Sequence, residues 1–308
     1  MSFIDKVQRW VADPPPDHLF EITEVSLAAG SPRMPGQHKF EVLAEHGLTA
    51  SPSAPNLLKP YLYRDVLPRL LPVNGTKRPA AALVIPDYAV RMAILDFEQF
   101  PAGEAEREAL IRFRLRKSVP FHIDEAQLSY SIQREEPKRL EVLAVSIARP
   151  ILDEYEALFT EAGYRLGVVV PSCLSVLRLC DPGQTSLTLL VKSAGAAISA
   201  VLFEQGRVRL VRCLDLSHSE LAGEEGLEEQ PEGDLILALL QQTLAYAEDQ
   251  LGRAVTRLLL CGFGPETDRL GQLAEREFGV AYAPVRSKFG PASQENAGLL
   301  GLLERYAA

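Results

Sequence analysis

The residues that most often do chemistry are spread along this chain without the spacing of a known catalytic motif. Its histidines form no His-Glu-x-x-His pattern or other metal-binding spacing, and no Gly-x-Ser-x-Gly segment offers a serine nucleophile. The five histidines are His18, His38, His46, His122 and His218. Ser172 and Cys173 follow a proline, and we interpret them as the start of a helix rather than as a nucleophile. A metal enzyme and an acyl-transfer enzyme are therefore disfavoured.

The cysteines do not suggest a metal or redox site either. All four lie inside apolar runs and none forms a Cys-x-x-Cys pair: Cys173, Cys180, Cys213 and Cys261. We expect buried, reduced thiols, which are typical of cytosolic proteins.

Charge is unevenly distributed. The net charge of −9 argues against nucleic acid as a partner, because phosphate binding needs a basic surface. The segment from Asp215 to Asp234 contains eight acidic residues and no basic one, and its glycines and proline predict a solvated loop. A basic cluster stands apart from it: Arg112, Arg114, Arg116 and Lys117. A solvated helix face and a partner-binding surface are both open interpretations of this cluster.

The length of 308 residues is large for one compact core and favours two lobes. No run of about 18 apolar residues is present, so the sequence predicts no transmembrane helix. The N-terminus lacks the apolar stretch and cleavage site of a signal peptide. We therefore expect a cytoplasmic protein.

Residues 2–12 place Phe3, Ile4, Val7 and Trp10 at helical spacing, and a run of three prolines follows. This helix has the apolar stripe and basic residues of a weak interfacial anchor. Docking on a membrane surface and packing against its own lobe are both open alternatives.

Hydrophobic periodicity and turn residues divide the rest into two α/β units that separate near Asp181. In the first unit, a strand at His18–Thr23 precedes an irregular, proline-rich stretch to about Pro55, and Asn56 caps a helix at Leu57–Leu71. Further strands and helices are predicted at Ala80–Ile85, Ala89–Phe97, Glu104–Ser118, Ala126–Gln133, Leu140–Ile147, Pro150–Ala162, Leu166–Val170 and Ser172–Leu179.

In the second unit, strands at Ser186–Val191 and Ile198–Glu204 lead through a tight Gln205-Gly206 turn into Val208–Leu214. The remaining elements are predicted at Leu235–Leu251, Arg257–Cys261, Glu266–Phe278, Gly279–Ala283 and Ser293–Tyr306. Each unit contains hairpins as well as strands followed by helices, which predicts a mixed sheet built twice.

Five segments in the middle of the chain carry a resemblance to a known family: Leu95–Pro101, Ile111–Phe121, Asp124–Tyr130, Val142–Ile147 and Ile151–Gly163. The resemblance is to the PilM family of type IV pilus assembly proteins, which belongs to the actin-like superfamily with the division protein FtsA, and it covers most of residues 17–306. It implies an α/β, actin-like, two-lobed fold with an inserted α+β subdomain in the first lobe. The implied divisions are an N-terminal helix and linker at 1–16, a first lobe at 17–181 with its insert at about 80–170, and a second lobe at 182–308. The last helix, 293–306, is expected to return to the first lobe.

In such proteins a nucleotide is held between the lobes by two hairpin turns and a glycine-rich turn. The first hairpin corresponds to Phe20–Leu27, where Glu21 stands for the usual Asp and Thr23 for the usual Gly. In the second hairpin Val191 replaces the acid, and we expect the adjacent Lys192 to be a surface lysine at a strand end. Because backbone approach to phosphate needs Gly, and Mg²⁺ needs a carboxylate, the resemblance implies a decayed site with no ATP, no Mg²⁺ and no enzymatic activity.

The third turn keeps Gly262 and Gly264 but separates them with Phe263. A turn from a strand into a helix needs such glycines for packing alone. We therefore interpret the turn as supporting the fold rather than a nucleotide.

The resemblance also implies a scaffold peripheral to the inner membrane that binds the cytoplasmic tail of a PilN-like membrane protein. The expected groove lies between the first lobe and residues 80–170, with the strand around Leu83–Pro86 in one wall. The expected partner-binding residues are Arg112, Arg114, Arg116, Lys117 and Phe121. An ATP-binding actin-like protein and a component related to GspL of type II secretion are the alternatives.

Overall fold

A computed structural model describes residues 15–72, 78–136, 139–181, 183, 185–216 and 232–307. The predicted helix at 2–12 and most of the acidic segment at 215–234 lie outside the described residues.

The first lobe is built on a five-stranded mixed sheet with the order β3-β2-β1-β4-β8. Its strands are β1 (His18–Ile22), β2 (Ser26–Gly30), β3 (Lys39–Val42), β4 (Ala80–Ile85) and β8 (Arg165–Pro171). The first three form an antiparallel meander, and β4 runs parallel to both β1 and β8.

The second lobe repeats this order in a five-stranded sheet, β11-β10-β9-β12-β13. Its strands are β9 (Thr188–Ala194), β10 (Ala197–Glu204), β11 (Arg207–Asp215), β12 (Arg257–Cys261) and β13 (Ala281–Pro284). Again three antiparallel strands are followed by two parallel ones. The predicted duplication of a mixed sheet is confirmed.

Helices cover both faces of the first sheet. Side chains alternate between the two faces along each strand, so apolar side chains on each face need to be covered. Phe20 and Leu83 share one core with α1 (Pro60–Leu70) and α3 (Arg149–Glu161). Leu19 and Ala82 face the other way, toward α7 (Ala297–Tyr306), the last helix of the chain. The second-lobe sequence thus ends packed on the first lobe.

The second sheet is also covered on both faces. Leu189 and Val191 pack against α5 (Glu232–Leu251) and α6 (Thr267–Phe278). Leu190 faces the first lobe, where it shares a cluster with Cys173 of the short α4 (Ser172–Val176). The lobes are therefore joined by an apolar core. The small pair β14 (Arg286–Ser287) and β15 (Gly290–Pro291) precedes α7.

The insert is narrower than residues 80–170. A separate three-stranded sheet, β5-β7-β6, consists of β5 (Arg91–Phe97), β6 (Gln127–Glu136) and β7 (Arg139–Ile147), and α2 (Glu104–Leu115) packs on it. The flanking β4, α3 and β8 belong to the first lobe, because β4 pairs with β1 and β8 rather than with the insert.

Two further expectations for the first lobe are wrong. The stretch predicted as irregular contains β2 and β3, whose small and charged residues pair although they carry little strand propensity. Asn56 does not cap a helix, because α1 begins at Pro60, whose fixed φ suits the first helical position. The Asn56 side chain is instead buried and bonds to Ser51 and Tyr155.

The last helix begins at Ala297 rather than Ser293, since the side-chain oxygen of Asn296 accepts a hydrogen bond from the Ser293 backbone in the preceding turn. The tight turn predicted at Gln205-Gly206 is confirmed by positive φ angles at both residues. Among the described residues, no helix is long and apolar enough to cross a membrane.

Candidate functional site: the cleft between the lobes

Glu21 lies at the bottom of the cleft between the two lobes and is almost completely buried. Its Oε1 accepts a 2.7 Å hydrogen bond from the Ser172 hydroxyl, and its Oε2 accepts a 2.9 Å bond from the backbone N–H of Leu299. Leu299 is in the first turn of α7, where backbone N–H groups lack partners within the helix. Glu21 therefore ties β1 to the start of the last helix.

Lys192 is not a surface lysine. Its side chain is 1% exposed, and its Nζ lies 3.9 Å from Oδ2 of Asp87. Position 192 is a buried position of β9, and the side chain reaches across the cleft toward the first lobe. Among the described residues Nζ has no hydrogen-bond partner. The prediction failed because a lysine next to a hairpin turn is usually exposed.

Asp87 completes this group, and sequence reasoning missed it. It follows β4 in a short 3-10 turn and is buried. Its Oδ1 accepts a 2.7 Å bond from the backbone N–H of Cys173, and its Oδ2 accepts a 2.8 Å bond from Ser199 of the second lobe. No single stretch of sequence signals this cluster, because residues from β1, the turn after β4, α4, β9 and β10 assemble it.

Burial and mutual attraction pull the pKa values of these groups in different directions. Burial raises the pKa of Glu21 above its usual value, although nearby Lys192 and two hydrogen bonds oppose the change. Burial alone lowers the pKa of Lys192, but the carboxylates of Asp87 and Glu21 outweigh this effect and raise it. The ammonium group is therefore held in its charged form between the two acids. We call Glu21, Asp87 and Lys192 the cleft triad.

The two hairpin turns that would surround phosphates touch each other. An added Cβ at Gly195, in the turn between β9 and β10, would lie only 2.3 Å from Oε2 of Glu24. The Thr23 hydroxyl forms a 2.7 Å hydrogen bond with Ser26 across its own turn. The Glu24 carboxylate thus lies against the turn between β9 and β10, where its negative charge disfavours a phosphate.

The other predicted site positions contribute to packing. Val191 is fully buried in the second-lobe core. Gly262 has a φ of +83°, and an added Cβ there would lie 2.3 Å from the backbone oxygen of Ser193. Gly264 also has a positive φ, of +51°. Phe263 between them is buried against α5 and α6.

The space left in the cleft is too small for a nucleotide. The cavity lined by the cleft triad, Thr23 and Glu24 measures about 20 Å³, which is room for about one water molecule. Lys192 and Asp87 already form an ion pair, and the carboxylates of Glu21 and Asp87 already accept hydrogen bonds from the protein. The residues present therefore do not fit Mg²⁺ with a nucleotide, and among the described residues no cluster of three metal-ligating side chains occurs.

The predicted partner-binding arginines contact their own subdomain. The Arg112 guanidinium donates to the backbone oxygens of Ile123 and Ala126, the latter at 3.0 Å. Nη2 of Arg116 donates to both carboxylate oxygens of Asp124, at 3.0 and 3.2 Å. Arg114 donates to the Asp96 carbonyl and stacks over Phe97. These side chains hold α2 to neighbouring segments of the insert.

The other two residues predicted to bind a partner, Lys117 and Phe121, differ from the arginines in their surroundings. Lys117 is exposed, whereas Phe121 is half-buried against both the first-lobe core and the insert. Leu83 and its neighbours cannot form a groove wall, because β4 is a central strand with both edges paired.

A groove of about 480 Å³ opens where the insert meets α4, the β10–β11 hairpin and the last helix. We call it the junction groove. Its apolar lining is Leu143, Leu174, Leu177, Phe203 and Val208, and its rim includes Arg178, Asp181, Glu304 and Arg305. None of the predicted partner-binding residues lines it.

All four cysteines are free thiols, and three of them are buried. Burial raises the pKa of Cys180, Cys213 and Cys261 to about 12 and raises that of Cys173 as well. Thiols in this state are poor nucleophiles.

No family model matches the chain, and no curated protein matches its sequence. Solved structures match its fold. The PilM–PilN type IV pilus biogenesis complex aligns with a TM-score of 0.73 and 18% identity over 96% of this chain and 100% of the other.

Two further structures align over nearly their whole length. A protein of Bacteroides thetaiotaomicron with an actin-like ATPase fold and unknown function has a TM-score of 0.53 at 14% identity, covering 98% of each chain. The cytoplasmic domain of EpsL, an inner membrane component of the type II secretion system of Vibrio cholerae, has a TM-score of 0.51 at 11% identity, covering 94% of this chain and 93% of the other. The chain has the actin-like ATPase fold, as the resemblance predicted.

Proposed function

We propose that this protein is a nucleotide-independent scaffold that binds the cytoplasmic tail of a PilN-like inner-membrane protein in a type IV pilus machine. It has no ATPase activity and works in the cytoplasm, at the inner membrane.

One comparison carries the proposal. The cleft that binds nucleotide in other actin-like proteins offers about 20 Å³ here, whereas the junction groove offers about 480 Å³. The cleft is filled by the protein's own charged side chains, and the groove is lined by apolar side chains, of which Leu174 and Leu177 are half-buried. A molecule that keeps the fold but fills the cleft is suited to binding rather than to turnover.

The chemistry of the junction groove suits a short extended peptide. Five apolar side chains form its floor, and acidic and basic residues stand at its rim. Such grooves take one or two apolar anchors of a peptide while the rim pairs with its polar groups. The similarity to the PilM–PilN complex supports a PilN-like tail as this peptide.

The proposal is tested by titrating a fluorescent peptide of the PilN-like tail from the same genome into the protein. Leu177 is half-buried in the groove floor, so Leu177→Arg should block the groove without unfolding the lobe. We expect the affinity to fall by about tenfold or more, as for a buried anchor contact.

Leu58→Arg is the matched control, because Leu58 is 57% exposed and does not line the groove. Its peptide affinity should equal that of the wild type. Equal affinity in all three proteins, or no binding by the wild type, would remove the support for this function.

A component of a type II secretion system is the second candidate, supported by the likeness to the EpsL cytoplasmic domain. The same titration with the cytoplasmic segments of the secretion proteins from that genome separates the two candidates. Binding of the PilN-like tail alone is the expected result.

Residues 2–12 are proposed as a weak second attachment to the membrane surface. Flotation with anionic vesicles should carry the full chain but not a chain that starts at Asp17. Failure of both to float would show that the helix does not act as an anchor.

A further inference from the structure

A concave surface separate from the cleft and the junction groove lies where the β6–β7 hairpin of the insert meets the second lobe. Its volume is about 330 Å³, and its lining includes Arg134, Arg207, Arg209 and Arg253. We call it the arginine pocket. It is built by the end of β6, the β10–β11 turn with the start of β11, the residue before β9, and the end of α5 with the segment after it.

The charges around this pocket do not balance. Arg134 pairs with Glu136, and Arg253 pairs with Glu204. Buried Glu141 pairs with both Arg139 and Arg209. Among the described residues, Arg207 has no ion pair or side-chain hydrogen bond.

Four guanidinium groups and two carboxylates line the pocket itself, an excess of two positive charges in a chain whose net charge is −9. An excess of one sign in a concavity attracts a ligand of the other sign.

Arg209 supplies an independent observation. Its side chain is 10% exposed, and its Nε has no hydrogen-bond acceptor among the described residues. An oxygen of the Glu204 carboxylate lies 3.6 Å from Nε, within an ion pair but beyond hydrogen-bond distance. A buried guanidinium N–H without an acceptor is costly, because the group has lost its hydration without replacing it.

We infer that the arginine pocket binds a small phosphate-bearing ligand that carries at least two negative charges. Guanidinium groups present paired N–H donors whose geometry matches the oxygens of a phosphate. Such an anion would neutralise the excess of two charges and accept bonds from Arg207 and from the unsatisfied Nε of Arg209. A cavity of about 330 Å³ accommodates a pyrophosphate-sized group.

The pocket lies between the insert and the second lobe, so a ligand bound there would connect these two parts of the protein. Arg209 of the second lobe pairs with Glu141 of the insert, and the adjacent Val208 N–H donates a 2.7 Å bond to Oε1 of Gln133. A bound anion would add a further link between these two parts. Val208 and Gln133 also line the junction groove, so anion binding is placed next to the proposed peptide site.

The test is a calorimetric titration of the full chain with pyrophosphate at low ionic strength. We expect saturable binding to one site that weakens as salt is added. Arg207→Gln should weaken it by about tenfold or more, because a charge-assisted bond is lost. Since Arg207 has no partner in the described protein, its replacement should leave the melting temperature unchanged.

Arg165→Gln is the matched control: this exposed arginine lies on β8 of the first lobe, and its side chain has no partner among the described residues. Its affinity for pyrophosphate should equal that of the wild type. Absence of saturable binding, or equal binding by the wild type and Arg207→Gln, would overturn the inference. Neither result bears on the peptide titration, so this inference and the proposed function fail separately.

Discussion

At the scale of single residues, the cleft triad joins the two lobes across the cleft through buried charged groups. Two buried carboxylates facing each other would repel, and Lys192 between them compensates for this repulsion. Each carboxylate also accepts two hydrogen bonds: Glu21 from Ser172 and Leu299, and Asp87 from Cys173 and Ser199. The bond from Ser199 crosses between the lobes, so the triad links them.

Replacing Lys192 should therefore be strongly destabilising. In Lys192→Met the side chain keeps its bulk, but Asp87 is left as a buried charge without a counter-ion. We expect a loss of about 3–5 kcal/mol in the free energy of unfolding, measured with guanidinium chloride. Adding Asp87→Asn should recover part of this loss, because the uncompensated charge is removed.

Lys288→Met is the control, since Lys288 is 59% exposed and its single ion pair is long, at 3.9 Å. Its effect should stay within about 0.5 kcal/mol. A Lys192 variant as mild as this control would show that the triad does not hold the lobes together.

The raised pKa of Glu21 predicts a dependence of stability on pH. Because the native pKa lies above the usual value of 4.5, the folded protein keeps this proton at pH values where the unfolded chain has released it. The stabilisation is complete below the unfolded pKa and is lost as the pH rises through the native one. Burial causes the shift, and the facing charges of Lys192 and Asp87 act in opposite directions on it.

In Glu21→Gln the side chain at position 21 is neutral at every pH, so the variant lacks this pH-dependent contribution to stability. As the pH rises from about 4.5, the wild type loses this stabilisation and the variant does not. The free energy of unfolding of the variant should therefore increase relative to that of the wild type. Denaturant titrations of both proteins at several pH values measure the difference. A difference that is constant with pH would contradict the raised pKa.

Only part of this site could be predicted from single residues. Glu21 was identified because it stands at the position of a family motif, and Val191 likewise. Asp87, Ser172 and Ser199 belong to no motif and meet only after five elements have folded together. Lys192 was misjudged because its exposure depends on what the other lobe presents to it.

At the scale of elements, the last helix is fixed to the first lobe by close backbone approach. Gly298 and Gly301 lie on the face of α7 that touches α4 and β4. An added Cβ at Gly301 would lie 2.1 Å from the backbone oxygen of Ser175, which cannot move without shifting α4. The Ser175 hydroxyl also donates a 2.7 Å bond to the Gly298 carbonyl.

Gly301→Ala should destabilise the protein although alanine is the better helix former by about 1 kcal/mol. We expect a net loss of about 1–3 kcal/mol from overpacking, visible as a lower midpoint of denaturation. Gly233→Ala is a suitable control within α5, because the nearest atom to an added Cβ is 4.0 Å away. If both variants were equally stable, the packing of α7 on α4 would be looser than described.

Element prediction succeeded where periodicity was strong and failed where pairing decided the structure. Most strands and helices of the second lobe were found within a few residues, since its strands are short apolar runs bounded by turn residues. The strands β2 and β3 were missed because Ser26–Gly30 is rich in small residues and Lys39–Val42 is exposed. Their pairing with β1 is a tertiary effect that local propensity does not report.

At the scale of the whole molecule, two sheets of the same strand order are joined by an apolar core, by the cleft triad and by contacts of the insert. The two-lobed repeat could be predicted because each half repeats hairpins followed by strand–helix units. The limits of the insert could not, since they depend on which sheet β4 joins. This architecture supports our central claim that the closed, two-lobed form needs no nucleotide.

The most direct test of that claim is a calorimetric titration of Arg207→Gln with Mg-ATP, because we expect this variant to weaken phosphate binding at the arginine pocket by about tenfold or more. We predict no saturable heat of binding and no change in melting temperature when Mg-ATP is added. Micromolar affinity in this variant, abolished by a further Lys192→Met substitution in protein that remains folded, would place a nucleotide in the cleft and contradict the account.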